Sequence, residues 1–280
     1  MTKLIVNCIG GLGNQMTQYA FYKELEYLGY DVKLYTGGFK NYTLHNGYEL
    51  DKIFDIKPKY AFDTDVDKFF TFFHKIKRKF GLSKNIITQE YFNYSHAYLK
   101  YNQDSFVTGY WQSEKYFADV FADIRRDFIF PLLSGANQEM AQQIIENNSI
   151  SVHVRRGDYV GHELYDGICD IDYYNRAMLQ IKQYIKNPMF FVFSNDLSWC
   201  RENLNIENAI YVDINDGKNG YRDMHLMSLC KHNILANSSF SWWAGWLNSN
   251  PDKIIMVPKK FFNSNIYDER DLYPNEWIKI

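Results

Sequence analysis

Two adjacent arginines follow a predicted strand in the second half of the chain. Residues 149–155 read SISVHVR, an apolar run typical of a buried strand, and Arg156, Gly157 and Asp158 continue into a turn. Guanidinium groups bind phosphate oxygens in bidentate pairs, and each charge-assisted hydrogen bond contributes roughly 1.5–3 kcal/mol. Arg155 and Arg156 could therefore bind a diphosphate and offset its charge as it leaves. The alternative is a pair of surface arginines that forms a salt bridge with Asp158.

A glycine-rich segment follows the first predicted strand. Residues 3–9 read KLIVNCI and predict a buried strand, and GGLGNQ occupies residues 10–15. Glycines allow a backbone to approach a ligand closely, and the helix N-terminus behind them favours negative charge. The spacing differs from the GxGxxG pattern of dinucleotide-binding loops, so no dinucleotide cofactor is expected.

Serines and tryptophans are combined in residues 236–248, which read ANSSFSWWAGWLN. Serines between a strand and a helix can cap the helix and can offer hydroxyl and amide donors to an anion. Under the alternative interpretation the serines only cap the helix. The spacing of Trp242, Trp243 and Trp246 favours a place in the core over a sugar-binding surface.

Two acidic patterns could hold a divalent metal ion. Residues 63–65 and 170–172 both have the DxD form that binds a metal in some sugar-nucleotide transferases. Such short patterns arise by chance in acidic loops, and ordinary solvated carboxylates are the favoured interpretation. His162 and Glu163 could suggest a zinc site, but they have no cysteine partner in the sequence, which argues against zinc.

Strands and helices alternate along both halves of the chain. In the first half, a helix is predicted over residues 15–28 and a strand over 31–36. The second half repeats this pattern over residues 149–155, 171–185, 189–195, 209–214, 222–232, 232–237 and 253–259. The alternation predicts an α/β protein with two Rossmann-like lobes that are joined near residues 124–135 and face an interlobe cleft. Ligands bind at the carboxyl ends of the strands in such sheets.

The composition is that of a globular protein rich in aromatic residues. Of 280 residues, 46% are apolar and 18% are aromatic, which is enough apolar material for a core. The 31 basic and 33 acidic residues give a net charge of −2, which argues against a dedicated nucleic-acid binder. The cysteines lack CxxC or CxxH spacing and are predicted to be free thiols in a reducing compartment: Cys8, Cys169, Cys200 and Cys230.

Residues 67–84 combine apolar and basic side chains. The apolar positions fall at helical spacing, namely Phe69, Phe73, Ile76 and Phe80. This pattern predicts a surface helix that packs its phenylalanine face on the first lobe, and the alternative is a basic amphipathic helix that rests on a membrane. The sequence shows no signal segment and no run of about 18 apolar residues. The expected location is the cytoplasm, and the membrane-helix alternative would add peripheral contact at the inner membrane face.

Three of these segments, in order, resemble those of a known enzyme family. GGLGNQ, VHVRRGDYVG and NSSFSWWAGWLN are similar to motifs of the bacterial α-1,2-fucosyltransferases, glycosyltransferase family 11. The segments YELDKIF and GYWQSEKYF, at 48–54 and 109–117, add to the resemblance, which extends over nearly the whole chain.

The resemblance implies a GT-B architecture and a specific reaction. Residues 1–130 would form an acceptor-side lobe with the glycine-rich loop, and residues 131–280 would form the lobe that binds GDP-β-L-fucose. The implied reaction transfers L-fucose, with inversion, to the 2-hydroxyl of a terminal β-galactoside on an oligosaccharide or lipid-linked glycan. The resemblance implies no cofactor, no required metal ion and no nucleic-acid partner.

Related fucosyltransferases also suggest roles for individual residues. Arg155 resembles the arginine that contacts the donor's β-phosphate, and Arg156 is its neighbour in the motif. The other donor-binding positions implied by the resemblance are His153, Asp223, Ser239, Phe240 and Ser241 in the second lobe, with Gly13 and Asn14 in the glycine-rich loop.

The general base has two candidates. Inverting transfer requires a group that takes the proton of the acceptor hydroxyl. Glu163 lies ten residues after His153, where α-1,6-fucosyltransferases place a catalytic glutamate, and Asp158 is the rival. Those relatives carry lysine where this chain has Tyr159, which weakens the transfer of their assignment.

Two other functions stay open from the sequence. A metal-dependent sugar-nucleotide transferase would use Asp63 and Asp65 as ligands. A non-catalytic protein that binds a nucleotide or a glycan would keep both lobes without turnover.

Overall fold

Five parallel strands form the sheet of the first of two units. The structure is a computed structural model, and it describes residues 1–42, 45–71, 79 and 85–280. The first unit comprises Met1–Phe130 and Asp268–Pro274. Its strands are β1 (Lys3–Asn7), β2 (Asp31–Tyr35), β3 (Tyr60–Ala61), β4 (Ile86–Thr88) and β5 (Ser105–Thr108). Their order is β3-β2-β1-β5-β4, so the apolar run of β1 lies in the centre of the sheet.

The first unit contains a long helix in which most residues are buried. The helices bounded within its described residues are α1 (Leu12–Tyr27), α2 (Leu50–Ile53), α3 (Asp63–Phe70) and α4 (Phe121–Asp127). Helix α1 begins three residues before the predicted start, because Gly11 takes the extended N-cap conformation within the glycine motif. The ring of Phe21 on α1 stacks on Trp111, with 4.2 Å between ring centroids. This contact anchors the segment after β5 to the helix.

Six parallel strands form the sheet of the second unit, which comprises Pro131–Tyr267 and Asn275–Ile280. They are β6 (Ser149–Val154), β7 (Met189–Ser194), β8 (Ala209–Tyr211), β9 (His232–Ile234), β10 (Ile255–Val257) and β11 (Ile278–Lys279). The order β8-β7-β6-β9-β10-β11 is that of a Rossmann sheet, in which the direction of strand addition reverses between the first and fourth strands. In this unit the reversal falls between β6 and β9.

Five helices accompany the second sheet. They are α5 (Ala136–Glu146), α6 (Ile171–Tyr184), α7 (Leu197–Asn203), α8 (Tyr221–Leu229) and α9 (Ser239–Leu247). Tyr173 and Tyr174 on α6 are fully buried. The Tyr173 hydroxyl donates to the Leu235 carbonyl at 2.5 Å, and the Tyr174 hydroxyl donates to the His153 carbonyl at 3.0 Å. These bonds satisfy two polar groups in the core and tie α6 to the ends of β6 and β9. The tryptophans 242, 243 and 246 on α9 are also buried, as predicted for core residues.

The fold prediction of an α/β architecture with two Rossmann-like sheets is confirmed. The predicted second lobe, residues 131–280, included Asp268–Pro274, which the structure groups with the first unit. Within that first unit, Asp271 forms an ion pair with Lys115 and accepts a hydrogen bond from the Tyr94 amide at 3.0 Å. These contacts explain why the segment belongs with the first unit.

Two further predictions concern the membrane and the cysteines. Most of residues 67–84 lie outside the described residues, so the membrane-helix alternative is not addressed by the structure. None of the helices in the described ranges combines the length and the apolar composition needed to cross a membrane. All four cysteines are free, and Cys8, Cys200 and Cys230 are buried while Cys169 is half-buried.

Candidate functional site

The carboxyl ends of β6 and β9 carry two of the three motifs. The turn after β6 begins with Arg155 and the loop after β9 contains residues 236–238, which lead directly into α9. These strands are neighbours at the point where the strand order reverses. The crevice outside such a point is where Rossmann sheets bind ligands. The Tyr159 hydroxyl donates to the Asn237 carbonyl at 3.2 Å and joins the two loops.

The guanidinium of Arg155 has N–H donors left to offer a ligand. Its side chain is 24% exposed, and one terminal nitrogen (Nη2) lies 2.6 Å from Asp158. Its Nε atom is buried and has no hydrogen-bond partner among the described residues. An unpaired charged donor is costly to bury, so this nitrogen is available to an anion that enters the site.

His153 lies on β6 just before the arginines and is 5% exposed. Burial first, and the nearby charge of Arg155 second, lower its pKa to about 3, so the imidazole is neutral. Its Nδ1 is buried without a hydrogen-bond partner in the described part of the chain. Its ring lies 5.6 Å from the ring of Phe240 at the start of α9, which brings the two motifs together a second time.

Arg156 has different surroundings from Arg155. Its Nε donates to Asp196 Oδ2 at 3.1 Å, and its guanidinium carbon lies 4.0 Å from the centre of the Trp199 ring. Its backbone amide donates to Asn195 Oδ1 at 2.9 Å. The sequence interpretation missed residues 195, 196 and 199. Their signal is that polar side chains directly follow β7, the strand beside β6.

The loop after the arginines carries both candidate bases. Asp158 is paired with Arg155, whereas Glu163 is exposed, and no described residue forms a hydrogen bond or ion pair with its carboxylate. The loop is held on either side of Glu163: before it, the Tyr159 hydroxyl donates to the Asn237 carbonyl at 3.2 Å, and after it, the Leu164 carbonyl accepts from the Asn263 amide at 2.8 Å. The rings of Tyr159 and Tyr165 also stack, with 4.5 Å between their centroids. Glu163 is therefore a solvated carboxylate on a well-anchored loop.

The three serines at the start of α9 have different contacts. Ser238 caps the helix, and its hydroxyl accepts from the Phe240 amide at 3.3 Å. Ser239 and Phe240 are half-buried. Ser241 is fully buried, and its hydroxyl donates to the backbone carbonyls of residues 236 and 238, each at 3.2 Å. In this arrangement the helix N-terminus and Ser239 are the donors closest to solvent, and the Ser241 hydroxyl stabilises the turn.

Asp223 lies in the first turn of α8 and does not contact the arginines. Its carboxylate accepts from Asn215 Nδ2 at 2.7 Å, and Asn215 also pairs reciprocally with Asn137 at the start of α5. Burial is the main reason that its pKa rises to about 7. Helices that follow parallel strands begin at the carboxyl edge of the sheet, so Asp223 occupies the same edge as the motifs of β6 and β9.

The glycine-rich loop of the first unit is organised by amide side chains. Asn14 accepts from Gln112 Nε2 at 2.9 Å, which joins the loop after β1 to the segment after β5. A Cβ atom on Gly10 would lie only 2.6 Å from the Asn14 amide nitrogen, and Gly10 has a φ of +81°. Glycine is therefore required at this close approach. Gly13 is buried in the first turn of α1.

The acidic pair of the first unit is engaged by lysines. Lys40 Nζ lies 2.5 Å from Asp63, and Lys33 Nζ lies 3.0 Å from Asp65. The Lys40 contact lowers the pKa of Asp63, and the Phe62 amide with Lys33 lowers the pKa of Asp65. Asp170 caps α6 by accepting from the Tyr173 amide at 2.7 Å. In the described ranges, no three His, Cys, Asp or Glu side chains converge on a position for a metal ion.

The structure brings together most of the donor-binding residues that the resemblance implied. Within the second unit, one edge of the sheet carries His153, Arg155, Arg156, Asp223, Ser239 and Phe240, and the loop with Asp158 and Glu163. Ser241 faces its own turn, and Gly13 and Asn14 belong to the first unit. The chemistry of the edge is cationic at Arg155 and rich in backbone donors at α9, which suits a phosphorylated ligand.

Known proteins match this chain over its full length. An α-1,2-colitosyltransferase of Escherichia coli is 33% identical and covers 100% of this chain and 99% of its own. A galactoside α-(1,2)-fucosyltransferase 1 of Rattus norvegicus is 28% identical and covers 97% of this chain and 71% of its own. The motif resemblance noted from the sequence therefore extends to relatives of bacterial and mammalian origin.

The fold comparison points to the same class of architecture. The α-1,6-fucosyltransferase NodZ, in a crystal soaked with GDP-fucose, has a TM-score of 0.52 at 14% identity and covers 90% of this chain and 97% of its own. Another crystal structure, that of fucosyltransferase NodZ from Bradyrhizobium, has a TM-score of 0.51. The family model for glycosyl transferase family 11 matches residues 2–280. The two Rossmann sheets, the arginine turn and this family match together show that the chain is a GT-B glycosyltransferase that belongs to family 11.

Proposed function

We propose that this protein transfers L-fucose from GDP-β-L-fucose to the 2-hydroxyl of a terminal β-galactoside, with inversion to an α-1,2 linkage. The observation that carries the proposal is the half-buried Arg155 at the carboxyl end of β6, where the strand order reverses and where its Nε has no partner in the described part of the chain. The α-1,2 linkage is named for the relatives from both bacteria and mammals. The proposed setting is the cytoplasm.

The proposed mechanism assigns one task to each group of residues at the carboxyl edge of the second unit's sheet. The acceptor oxygen attacks the anomeric carbon of fucose as the bond from that carbon to the diphosphate breaks. Arg155 and the N-terminus of α9 offset the charge that develops on the diphosphate. The acceptor proton passes to the carboxylate of Glu163. The neutral His153 and the carboxylate of Asp223 bind the nucleoside.

A second donor has its own support. The relative that is 33% identical over the whole chain is named a colitosyltransferase. Colitose is fucose without the 3-hydroxyl, so one donor site could discriminate between the two sugars only at that position. A donor site that hydrogen-bonds the 3-hydroxyl would reject the deoxy sugar strongly, because its polar groups would be left unpaired.

A paired-donor assay tests the proposal. The enzyme is incubated with a panel of β-galactosides and with either GDP-fucose or GDP-colitose, and the product linkage is determined by NMR. We expect an α-1,2-linked fucoside and release of GDP. If only colitose is transferred, the proposed donor is wrong and GDP-colitose takes its place. A different linkage in the product would overturn the proposed regiochemistry. Nucleotide binding without GDP release would indicate a non-catalytic protein.

Excess EDTA should leave the rate of transfer unchanged. Lysines hold both carboxylates of the 63–65 segment, and Arg155 with the α9 N-terminus can neutralise the diphosphate without a metal ion. The measurement is GDP release before and after dialysis against EDTA, with magnesium or manganese added back. The double variant Asp63→Asn/Asp65→Asn should match the wild type. An activity lost in EDTA and restored by manganese would support the metal-dependent alternative.

The thermal stabilisation produced by GDP should increase between pH 6 and pH 8. The pKa of Asp223 is about 7 in the folded protein against an ordinary value of 3.8, so its contribution to stability is fully present below 3.8 and is lost as the pH rises through about 7. The carboxylate formed above pH 7 can accept hydrogen bonds from guanine N–H groups, which recovers that loss. Comparing Tm shifts of the wild type and Asp223→Asn removes the titration of GDP itself. Parallel profiles for the two proteins would contradict this role.

A further inference from the structure

The two arginines of the β6 turn are not equivalent. We propose that Asn195, Asp196 and Trp199 are positioning residues that hold Arg156 and the turn behind it, so that Arg155 is the arginine that binds the diphosphate. The inference rests on the proposed function, because it deepens the description of the same donor site. It assigns roles to three residues outside the sequence motif.

The guanidinium of Arg156 is already occupied on two sides. Asp196 accepts from its Nε at 3.1 Å, and the Trp199 ring covers its face at 4.0 Å. Asp196 also accepts from the Trp199 amide at 3.1 Å, which fixes the carboxylate and the ring relative to each other at the start of α7. While Asp196 holds the Nε–H, Arg156 cannot offer a phosphate group the bidentate pair that includes Nε. The guanidinium of Arg156 is therefore held by contacts within the protein.

The backbone of the turn is fixed by the neighbouring strand as well. Asn195 directly follows β7, which pairs with β6 along its full length, and its Oδ1 accepts from the Arg156 amide at 2.9 Å. A Cβ atom on Gly157 would lie 2.1 Å from Asn195 Nδ2, and the φ of Gly157 is +27°. The turn can therefore lie against Asn195 only because residue 157 has no side chain. These contacts determine the direction in which Arg155 leaves the strand.

The two arginines differ at Nε, which is paired with Asp196 in Arg156 and has no partner among the described residues in Arg155. The Nε of Arg155 is buried, and its guanidinium forms an ion pair with Asp158, the next acidic residue of the same turn. Asp158 is half exposed, so an entering diphosphate can replace it as the partner of the guanidinium. A turn that directs the Arg155 guanidinium toward a ligand needs support from packed neighbours, and we assign that support to residues 195, 196 and 199.

The variant Asp196→Asn separates this proposal from a direct role of Arg156. Asparagine caps helices as well as aspartate does, so α7 keeps its start while the charge that holds Arg156 is removed. We expect GDP affinity, measured by calorimetry, to fall about tenfold and the KM for the donor to rise in parallel, with the acceptor KM unchanged. If Arg156 binds the diphosphate directly, its release from Asp196 should leave GDP affinity unchanged or increase it, and that result would overturn the proposal.

Variants of Trp199 give an independent test. Trp199→Leu should lower GDP affinity by a similar factor, and Trp199→Phe, which keeps an aromatic face for Arg156, should restore most of it. The same helix supplies a matched control, since Arg201 lies 4.4 Å from the centre of the Tyr211 ring. Tyr211→Leu removes a comparable cation–π contact outside the turn, and it should leave GDP affinity within about twofold of wild type. Equal losses of affinity in Tyr211→Leu and Trp199→Leu would contradict a positioning role.

Failure of this inference can be told apart from failure of the proposed function. If Arg155→Ala abolishes GDP binding while Asp196→Asn and Trp199→Leu retain it, the donor site stands and the positioning role is rejected. If Arg155→Ala also retains full GDP affinity, the donor site itself lies elsewhere.

Discussion

Replacing Arg155 by alanine should lower turnover by on the order of 10²-fold or more and should weaken GDP binding. The reason is the half-buried guanidinium, whose Nε has no partner among the described residues and whose terminal nitrogen has one partner that a diphosphate can displace. An arginine used more strongly as the leaving group departs affects kcat as well as KM. The measurement is GDP release under saturating acceptor, together with GDP calorimetry.

Two companion variants sharpen the Arg155 result. Arg155→Lys keeps the charge but not the planar fork, so its activity should fall between that of the wild type and that of the alanine variant. Arg176 on α6 is exposed, and Arg176→Ala removes an equal charge at a position outside the site. It should behave as wild type. Near-wild-type transfer by a folded Arg155→Ala protein would remove this residue from the mechanism.

The variant Glu163→Gln should reduce transfer by roughly 10²–10⁴-fold while GDP affinity is retained. Glutamine has the size of glutamate but cannot accept the proton of the acceptor hydroxyl. Glu163 is the candidate whose exposed carboxylate is unpaired within the described ranges, and its loop is anchored on both sides. Single-turnover rates with bound donor would measure the chemical step separately from substrate binding.

Asp158 provides the comparison that decides the identity of the base. Its carboxylate is paired with Arg155 at 2.6 Å, so it is occupied in the absence of a ligand. If Asp158 only orients Arg155, Asp158→Asn should change GDP affinity and turnover together and by less than Glu163→Gln changes turnover. A large loss of turnover in Asp158→Asn, with full activity in Glu163→Gln, would transfer the role of base to Asp158.

The local sequence was sufficient to predict the strands that carry the site. The run 149–155 is apolar and ends in arginines and glycine, and the structure has β6 at Ser149–Val154. The same holds for α9, where a serine cap precedes an apolar helix that contains three buried tryptophans. Both predictions depend on contacts between residues close in sequence, where hydrophobic period and capping chemistry are informative.

The contacts that distinguish similar side chains could not be predicted in this way. Arg155 and Arg156 are adjacent in sequence, and their difference comes from Asn195, Asp196 and Trp199, about forty residues away on the neighbouring strand and helix. The burial of the Ser241 hydroxyl likewise depends on the path of the backbone at Ala236. Register between distant strands determines both, and one sequence alone does not contain that register.

The excursion of Asp268–Pro274 into the first unit affects the design of chimaeras between family members. The chain leaves the second unit at Tyr267 and returns to it at Asn275, and β11 then pairs with β10. A single crossover after Phe130 would combine the body of one parent's first unit with the other parent's Asp271, whose partners are Lys115 and the Tyr94 amide. A domain swap that keeps these native pairings therefore requires three junctions, and a library built on one breakpoint would contain mismatched hybrids.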